Sequence, residues 1–367
     1  MNHAQVSLST RKEVLSMKTQ QHQRLAVVAG ANGVAGNKLI DELERSAWQV
    51  IGLSRRGGAS RPGVRYLAVD LHDRQATMAA LADLPVSHLF YAAYQHADSW
   101  AGLVEPNLRM LDNALSAAEQ SPRLAHVSLM QGYKVYGAHL GPFKTPARES
   151  DAGHMPPEFN VAQQMLLEAR QPGTNWRWTA LRPSVVGGLS TGNPMNLALS
   201  LAVYAAICKE LNIPLRFPGR PGAWHSLIEM TDSGLLARAT LWAATSEAAE
   251  NQAFNVNNGD LFRWQEMWPR IATWFDLPVA PPLPMSLREA MADKAAIWQK
   301  MAAKYQLRES NIGAITGWEF VDFVFSWDYD MFADGSKIRR AGFHDYCETE
   351  QMFFQLFSQF RQMKLIP

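Results

Sequence analysis

Short apolar runs alternate with segments of helical periodicity along the first third of the chain. The apolar runs predict five β-strands, at residues 25–29, 48–53, 64–69, 88–93 and 124–130. The segments between them predict helices at residues 37–44, 73–82 and 107–119. Because strands and helices alternate along the chain, we predict an α/β fold of the Rossmann type, with a doubly wound parallel sheet.

The second half of the chain has a different pattern, rich in Trp, Phe, Met and Pro. It predicts long apolar helices at 194–211 and 235–249 and an amphipathic helix at 351–364. We predict a smaller, mainly helical C-terminal cap that binds substrate, formed by residues 191–222 and 261–367. Residues 24–190, with later segments around 223–260, are predicted to form the Rossmann domain. An aromatic-lined cap would suit a hydrophobic substrate.

The first predicted strand leads into a glycine-rich turn that opens a helix. The spacing is G-x-x-G-x-x-G, with Gly30, Gly33 and Gly36, and Asn32 and Val34 lie inside it. A helix N-terminus carries partial positive charge and free N–H groups, so the preferred guest is a pyrophosphate. The motif favours a dinucleotide site, although such a triplet alone is also typical of a tight turn.

Two arginines follow the second predicted strand. A site for NAD usually has a carboxylate here, on the ribose 2′-hydroxyl, whereas Ser54, Arg55 and Arg56 suit the 2′-phosphate of NADP. Guanidinium groups bind phosphate oxygens in a bidentate way. The alternative is a solvated loop that carries two charges. We predict that the Rossmann domain binds NADPH.

The ends of the next two strands provide further candidates for cofactor contacts. Asp70 and Leu71 follow the third strand, where the carboxylate could meet the adenine amino group or cap the helix that follows. Ala92 and Ala93 end the fourth strand, and their small side chains would let a cofactor approach closely.

Charge and cysteine content restrict the class of protein. The formal net charge is +1, so nothing electrostatic favours nucleic acid or an anionic membrane as a partner. The two cysteines, Cys208 and Cys347, indicate a reduced, cytoplasmic setting and no thiol-ligated metal. The longest apolar stretch, 197–208, is too short to span a bilayer. Residues 1–23 are polar and predict a disordered leader, with Met17 as an alternative start.

Longer strings carry a resemblance to a known family. These strings are QGYKVYG at 131–137, GPF at 141–143, LRPS at 181–184, LAVYAAICK at 201–209, PLRFPG at 214–219, AFNVNNGD at 253–260 and KLIP at 364–367. From about residue 25 to the end, the chain resembles the progesterone 5β-reductase/iridoid synthase-like (PRISE) enzymes, atypical extended short-chain dehydrogenases/reductases. The resemblance implies an NADPH-dependent reductase of activated C=C bonds in enones and enals.

The family pattern implies a catalytic lysine and a catalytic tyrosine, and only the lysine is present. It corresponds to Lys134. The tyrosine should follow an Asn-Phe pair, but the segment at 157–161 reads PEFNV and puts Asn160 at that position. The ordinary Tyr-x-x-x-Lys pattern is also missing at 160–164. Tyr133 and Tyr136 flank the lysine and could supply a phenol, or could pack at the strand end.

Conjugate reduction does not require that tyrosine. Reduction of a ketone needs a proton delivered to oxygen, whereas conjugate hydride addition leaves an enolate that needs hydrogen-bond donors. The Asn160 amide and the Lys134 ammonium are such donors. Two alternatives stay open: a carbonyl or imine reductase with a relocated tyrosine, and a non-catalytic NADP(H)-binding sensor.

The family resemblance implies the remaining site residues. Further cofactor contacts are expected from Gln131, Pro183, Val185 and Val186. The expected substrate is a small hydrophobic carbonyl compound, and the chain could form a homodimer. The substrate walls are expected at positions that could equally be buried core, namely Trp100, Met195, Asn196, Trp318 and Phe320.

Overall fold

The structure is a computed structural model that describes residues 24–153, 155–190, 192 and 195–367. The predicted leader at residues 1–23, with Met17, lies outside the described residues. In the described part of the chain, no helix is both long and apolar enough to cross a membrane.

A seven-stranded sheet forms the centre of the fold. Its strand order is β10-β6-β5-β4-β1-β2-β3, and every neighbouring pair is parallel. The order reverses between β1 and β4, so the predicted doubly wound Rossmann sheet is confirmed. The strands of this sheet are β1 (Leu25–Ala29), β2 (Gln49–Ser54), β3 (Val64–Ala68), β4 (His88–Tyr91), β5 (His126–Met130), β6 (Arg177–Pro183) and β10 (Gln252–Val256).

Helices cover both faces of the sheet and make up most of the C-terminal half. They are α1 (Val34–Arg45), α2 (Arg74–Leu81), α3 (Val104–Ala118), α4 (Phe159–Arg170), α5 (Leu197–Glu210), α6 (Pro221–His225), α7 (Ser233–Ala243), α8 (Trp264–Trp274), α9 (Leu287–Ala290), α10 (Ala295–Tyr305), α11 (Trp318–Phe325), α12 (Ser336–Arg340) and α13 (Thr349–Gln362). The remaining strands of the described residues form two short parallel pairs: β7 (Val185–Gly187) with β9 (Met230–Asp232), and β8 (Leu215–Arg216) with β11 (Val279–Ala280).

Buried apolar side chains point to both faces of the sheet. Val27 and Leu89 pack with Leu115 of α3 and Leu167 of α4 on one face. The opposite face packs against α1 and α7, with Val28, Ile40 and Ala237 in one cluster. This alternation explains why the strands read as short continuous apolar runs, because both faces are covered.

Two predicted helices extend three or more residues beyond the observed ones. The predicted helix at 194–211 begins at Leu197, because the Asn196 side chain accepts from the Leu199 N–H at 3.1 Å and caps the first turn. The predicted helix at 235–249 ends at Ala243. Ser246 takes extended backbone, with φ −111° and ψ 125°, so the helix cannot continue through it.

The C-terminal half has its own aromatic core. Phe217, Trp264, Trp268 and Phe325 pack mostly edge to face, with centroid separations from 4.8 to 6.0 Å. β10 returns to the main sheet beside β6, and α7 packs on α1. The division into a Rossmann domain and a cap stays a prediction.

Candidate active site

A cleft of about 650 Å³ opens at the carboxyl edge of the sheet. Its size is typical of a small-molecule or cofactor site. Met195, Phe320, Phe323, Trp327 and Met331 form its wall from the C-terminal half. The cleft is also lined by every residue predicted to contact a cofactor: Gly30, Asn32, Gly33, Val34, Gly36, Ser54, Arg55, Arg56, Asp70, Leu71, Ala92, Ala93, Gln131, Pro183, Val185 and Val186.

The glycine turn is packed too closely for side chains. Gly30 has φ +83°, and a Cβ there would lie 2.5 Å from the Ala92 carbonyl oxygen. A Cβ on Gly36 would lie 2.3 Å from the Gly30 oxygen. The first turn of α1 has no side-chain cap and no acidic residue, so its free N–H groups stay available beside the cleft. This cradle fits a pyrophosphate.

The turn after β2 is held rigid and carries the two arginines. Asn32 Nδ2 donates to Ser54 Oγ and to the Gly57 carbonyl, both at 2.9 Å, and Ser54 Oγ donates to the same carbonyl at 3.0 Å. Arg55 and Arg56 are exposed and make no ion pair with any carboxylate of the described residues. Their guanidinium donors are therefore free for an anionic ligand.

Asp70 is not the cap of the following helix. The side chain of Asp73 caps α2 by accepting from the Ala76 N–H at 2.9 Å. Asp70 is exposed at the cleft, and among the described residues its carboxylate accepts a hydrogen bond only from the His72 N–H, at 3.0 Å. Its second carboxylate oxygen is thus open toward the cleft.

Lys134 sits at the other end of the cleft among aromatic rings. Its Nζ lies 4.8 Å from the Trp100 centroid, 5.5 Å from that of Tyr94 and 5.6 Å from that of Phe159. The ammonium makes no direct ion pair with a carboxylate of the described residues. Burial lowers the pKa of Lys134, and the charge of Glu158 partly opposes that shift. Ring faces stabilise this cation and leave its N–H donors available.

His139 lies beside this lysine as a neutral imidazole. Burial, together with the positive charge of Lys134, lowers the pKa of His139 to about 4. Its ring meets the Trp100 ring edge to face at 4.5 Å. Around neutral pH, His139 therefore adds no charge to this end of the cleft.

Asn160 lies on the cleft wall at the start of α4 and is nearly fully buried. Its Nδ2 donates to Glu158 Oε1 at 2.8 Å, and its backbone carbonyl accepts from Gln131 Nε2 at 2.8 Å. Gln131 Oε1 in turn accepts from the buried Arg182 Nε at 2.9 Å. The amide is therefore anchored on one side, and its second hydrogen remains for another acceptor.

The two tyrosines beside Lys134 are bonded to core groups. Tyr133 donates to the buried carboxyl of Glu229, and burial raises the pKa of Tyr133 far above its usual value. Tyr136 donates to Asn255 Oδ1 at 2.5 Å and accepts from Arg182, and burial raises its pKa to about 12. Tyr133 reaches the cleft lining, whereas Tyr136 does not. The packing interpretation holds for Tyr136.

The predicted substrate walls are only partly at the cleft. Met195 and Phe320 line it, and Trp100 contacts Lys134. Asn196 is instead a buried helix cap that donates to the Gly188 and Ser190 carbonyls, at 3.1 and 3.0 Å. Trp318 opens α11 and packs against the C-terminal core without lining the cleft.

Sequence reasoning missed several residues of the site. Tyr94 had a usable signal, because it lies three residues beyond β4 at the edge where parallel strands end. No sequence signal marked Phe323, Trp327 and Met331, because the tertiary fold brings them to the cleft from far along the chain. The one sequence signal for Glu158 is that it stands where the family pattern has an asparagine.

Comparison with known proteins identifies a family. Residues 65–367 match the PRISE-like Rossmann-fold domain. An (S)-8-oxocitronellyl enol synthase of Camptotheca acuminata is 30% identical over 370 residues, covering 94% of this chain and 94% of the relative. A 3-oxo-Delta(4,5)-steroid 5-beta-reductase of Arabidopsis thaliana is 30% identical over 372 residues, covering 95% of each.

Solved structures similar to this chain share its fold at low sequence identity. A putative epimerase from Burkholderia cenocepacia superposes with a TM-score of 0.67 at 16% identity, covering 92% of this chain and 98% of the other. A UDP-glucose 4-epimerase from Thermus thermophilus, solved with NAD, gives 0.64 at 16% identity, covering 92% and 99%. Since the family match extends over most of its length, the chain belongs to the PRISE-like family of Rossmann-fold proteins.

Proposed function

We propose that this protein is an NADPH-dependent reductase of the short-chain dehydrogenase/reductase type that reduces the activated C=C bond of enones or enals. One observation carries the proposal. The glycine turn and the free arginines lie in the same cleft as the Lys134 ammonium and the Asn160 amide. One end suits an anionic dinucleotide, and the other suits a carbonyl oxygen in apolar surroundings.

The residues at the nucleotide end fit NADPH. The first turn of α1 would hold the pyrophosphate, and Arg55 and Arg56 would hold the 2′-phosphate. A Cβ on Gly30 or Gly36 would clash with backbone atoms, so the tight turn that would cradle the phosphates needs glycine at both positions. When bound, NADPH supplies a hydride.

The residues at the substrate end support conjugate reduction. Lys134 and Asn160 would donate hydrogen bonds to the substrate oxygen, where negative charge develops as the β-carbon is reduced. Phe320, Phe323 and Trp327 would exclude water from the apolar part of the substrate. Tyr133 and Tyr136, which flank the lysine in the sequence, are both bonded to core groups, so neither of these phenols is free to protonate an alkoxide. This favours C=C over C=O reduction.

A cofactor oxidation screen tests the proposed function. Purified protein is incubated with NADPH and with a panel of enals, enones, saturated ketones and cyclic imines, and absorbance at the NADPH band is followed. We expect oxidation with enals or enones and little with saturated ketones or imines. Turnover of ketones or imines alone would favour the carbonyl or imine reductase. Tight NADPH binding with no turnover of any compound would favour the sensor.

Cofactor choice is tested separately by removing the two arginine charges. NADPH should bind more tightly than NADH, and the double variant Arg55→Ala/Arg56→Ala should lose most of that preference. Charge-assisted hydrogen bonds contribute roughly 1.5–3 kcal/mol each, so the preference should fall at least tenfold. The measurement is titration of both cofactors by quenching of tryptophan fluorescence. Equal affinities of the unmodified protein for NADPH and NADH would contradict the assignment.

A further inference from the structure

The start of α4 departs from the family pattern at two positions that touch each other. Where the family reads Asn-Phe before its tyrosine, this chain has Glu158 and Phe159 before Asn160. The Asn160 amide donates to Glu158 Oε1 at 2.8 Å, and the Val161 N–H donates to Oε2 at 3.0 Å. The Glu158 carboxylate therefore fixes the position of the Asn160 side chain.

Glu158 and Lys134 also influence each other electrostatically. Glu158 is only 7% exposed. Burial raises the pKa of Glu158, while its bonds from Val161 and Asn160 and the charge of Lys134 oppose that rise. In the other direction, the charge of Glu158 opposes the lowering of the Lys134 pKa by burial. The Phe159 ring, between Glu158 and Asn160 in the chain, faces the ammonium at 5.6 Å.

We propose that Glu158 is a positioning residue for the substrate end of the cleft, whose carboxylate orients the Asn160 amide and provides the negative charge opposite the Lys134 ammonium. Because an ionised carboxylate only accepts hydrogen bonds, it fixes Asn160 with its NH₂ group toward Glu158. The proposal deepens the proposed function and rests on it only for its kinetic readout.

The other titratable groups around Lys134 do not compete with Glu158 in this role. His139 is neutral above about pH 5 because its pKa lies at about 4. Burial raises the pKa of Tyr94, which favours the neutral phenol. The aromatic rings of Trp100 and Phe159 carry no net charge. Among these groups, Glu158 is therefore the one whose charge affects the pKa of Lys134.

The test measures the titration of Lys134 without turnover. The full chain is labelled with acetic anhydride from pH 6 to 11, and mass spectrometry gives the acetylation rate of each lysine. The variants are Glu158→Gln, which keeps shape and removes charge, and Glu158→Asn, which keeps a favoured N-cap residue. Glu168→Gln, on the exposed face of the same helix, is the matched control.

We expect the midpoint pH of Lys134 acetylation to fall by roughly 0.5–1 pH unit in both Glu158 variants. This fall is smaller than the pKa shift that a direct ion pair typically causes. The sign follows because loss of a nearby negative charge disfavours the ammonium. Lys144 and the Glu168→Gln variant should show no change. A purely structural cap would instead leave the midpoint unmoved in Glu158→Asn, and an unchanged midpoint in both variants would overturn the proposal.

A kinetic readout separates this proposal from the proposed function. If enone reduction occurs, the alkaline limb of kcat/KM should move to lower pH in Glu158→Gln by the same amount as the labelling midpoint. An alkaline limb that stays in place while the labelling midpoint moves would overturn the positioning role. A shifted midpoint without turnover of any substrate would support the electrostatic role of Glu158 and contradict the proposed reductase.

Discussion

At the residue scale, Asn160 stands where the family pattern has a tyrosine, and its surroundings explain how an amide can be held there. Glu158 and the Gln131 amide anchor its side chain and its carbonyl, and Arg182 supports Gln131 from behind. Asn160 lies on the wall of the cleft. Its contact with a substrate oxygen stays a prediction.

Substitutions of Asn160 test that contact. Asn160→Ala should lower kcat for enone reduction by up to about a hundredfold, because an enolate would lose a donor. Asn160→Tyr should add or raise ketone reductase activity, because a phenol beside Lys134 could protonate an alkoxide. Steady-state kinetics with an enone and a saturated ketone measure both effects, and thermal melting controls for folding. Unchanged enone kinetics in Asn160→Ala would rule out the donor role.

At the scale of elements, periodicity in the sequence predicts the sheet well and the site only in part. β1 matches its predicted bounds, and the four strands that follow differ by at most two residues at each end, because buried parallel strands form uninterrupted apolar runs. The predicted end of α7 was wrong because alanines, which favour a helix, stand on both sides of Ser246 at 243–244 and 248–249. Local patterns carry little information about such backbone breaks.

The site residues beyond the first five strands depend on contacts that periodicity cannot encode. Arg182 reads as a strand residue, yet it is fully buried and bonds Gln131, Tyr136 and the Glu149 carbonyl. Glu229 reads as a surface acid, yet it lies in the core. Buried polar partners of this kind are chosen by tertiary packing, so a single sequence does not reveal them.

Glu229 joins three elements and predicts a pH dependence of stability. Glu229 directly precedes β9, and its Oε1 accepts hydrogen bonds from the Tyr133 hydroxyl and from the Ala333 N–H. Oε2 therefore remains to hold a proton. Burial raises its pKa from 4.5 to about 8. Below pH 4.5, both the folded and the unfolded protein hold this proton. Between pH 4.5 and about 8, only the folded protein holds it. Stability from this group is therefore lost as pH rises toward 8.

The variant Glu229→Gln should flatten that dependence. In the unmodified protein, the contribution of this group to the free energy of unfolding should fall by up to about 1.4 kcal/mol per pH unit between pH 5 and 8. Melting temperatures at several pH values in this range give the slope. The exposed Glu247→Gln serves as the control. An equal slope in Glu229→Gln and the unmodified protein would show that Glu229 does not hold the extra proton.

At the scale of the whole molecule, the chain brings two chemically different regions to one cleft. The sheet edge supplies the glycine turn and the arginines, and the C-terminal half supplies an aromatic wall. The family strings extend to the last residues, so the sequence indicates the family even where it does not indicate the contacts. Homodimer formation and a cytoplasmic location stay predictions.

The proposed function requires that the hydride goes to the β-carbon of an unsaturated carbonyl compound. Its most direct test uses NADPH deuterated at C4 of the nicotinamide, an enal or enone that the screen identifies, and analysis of the product by NMR and mass spectrometry. We expect a saturated carbonyl product with deuterium on the β-carbon. Deuterium on the former carbonyl carbon, in an allylic alcohol, would contradict it.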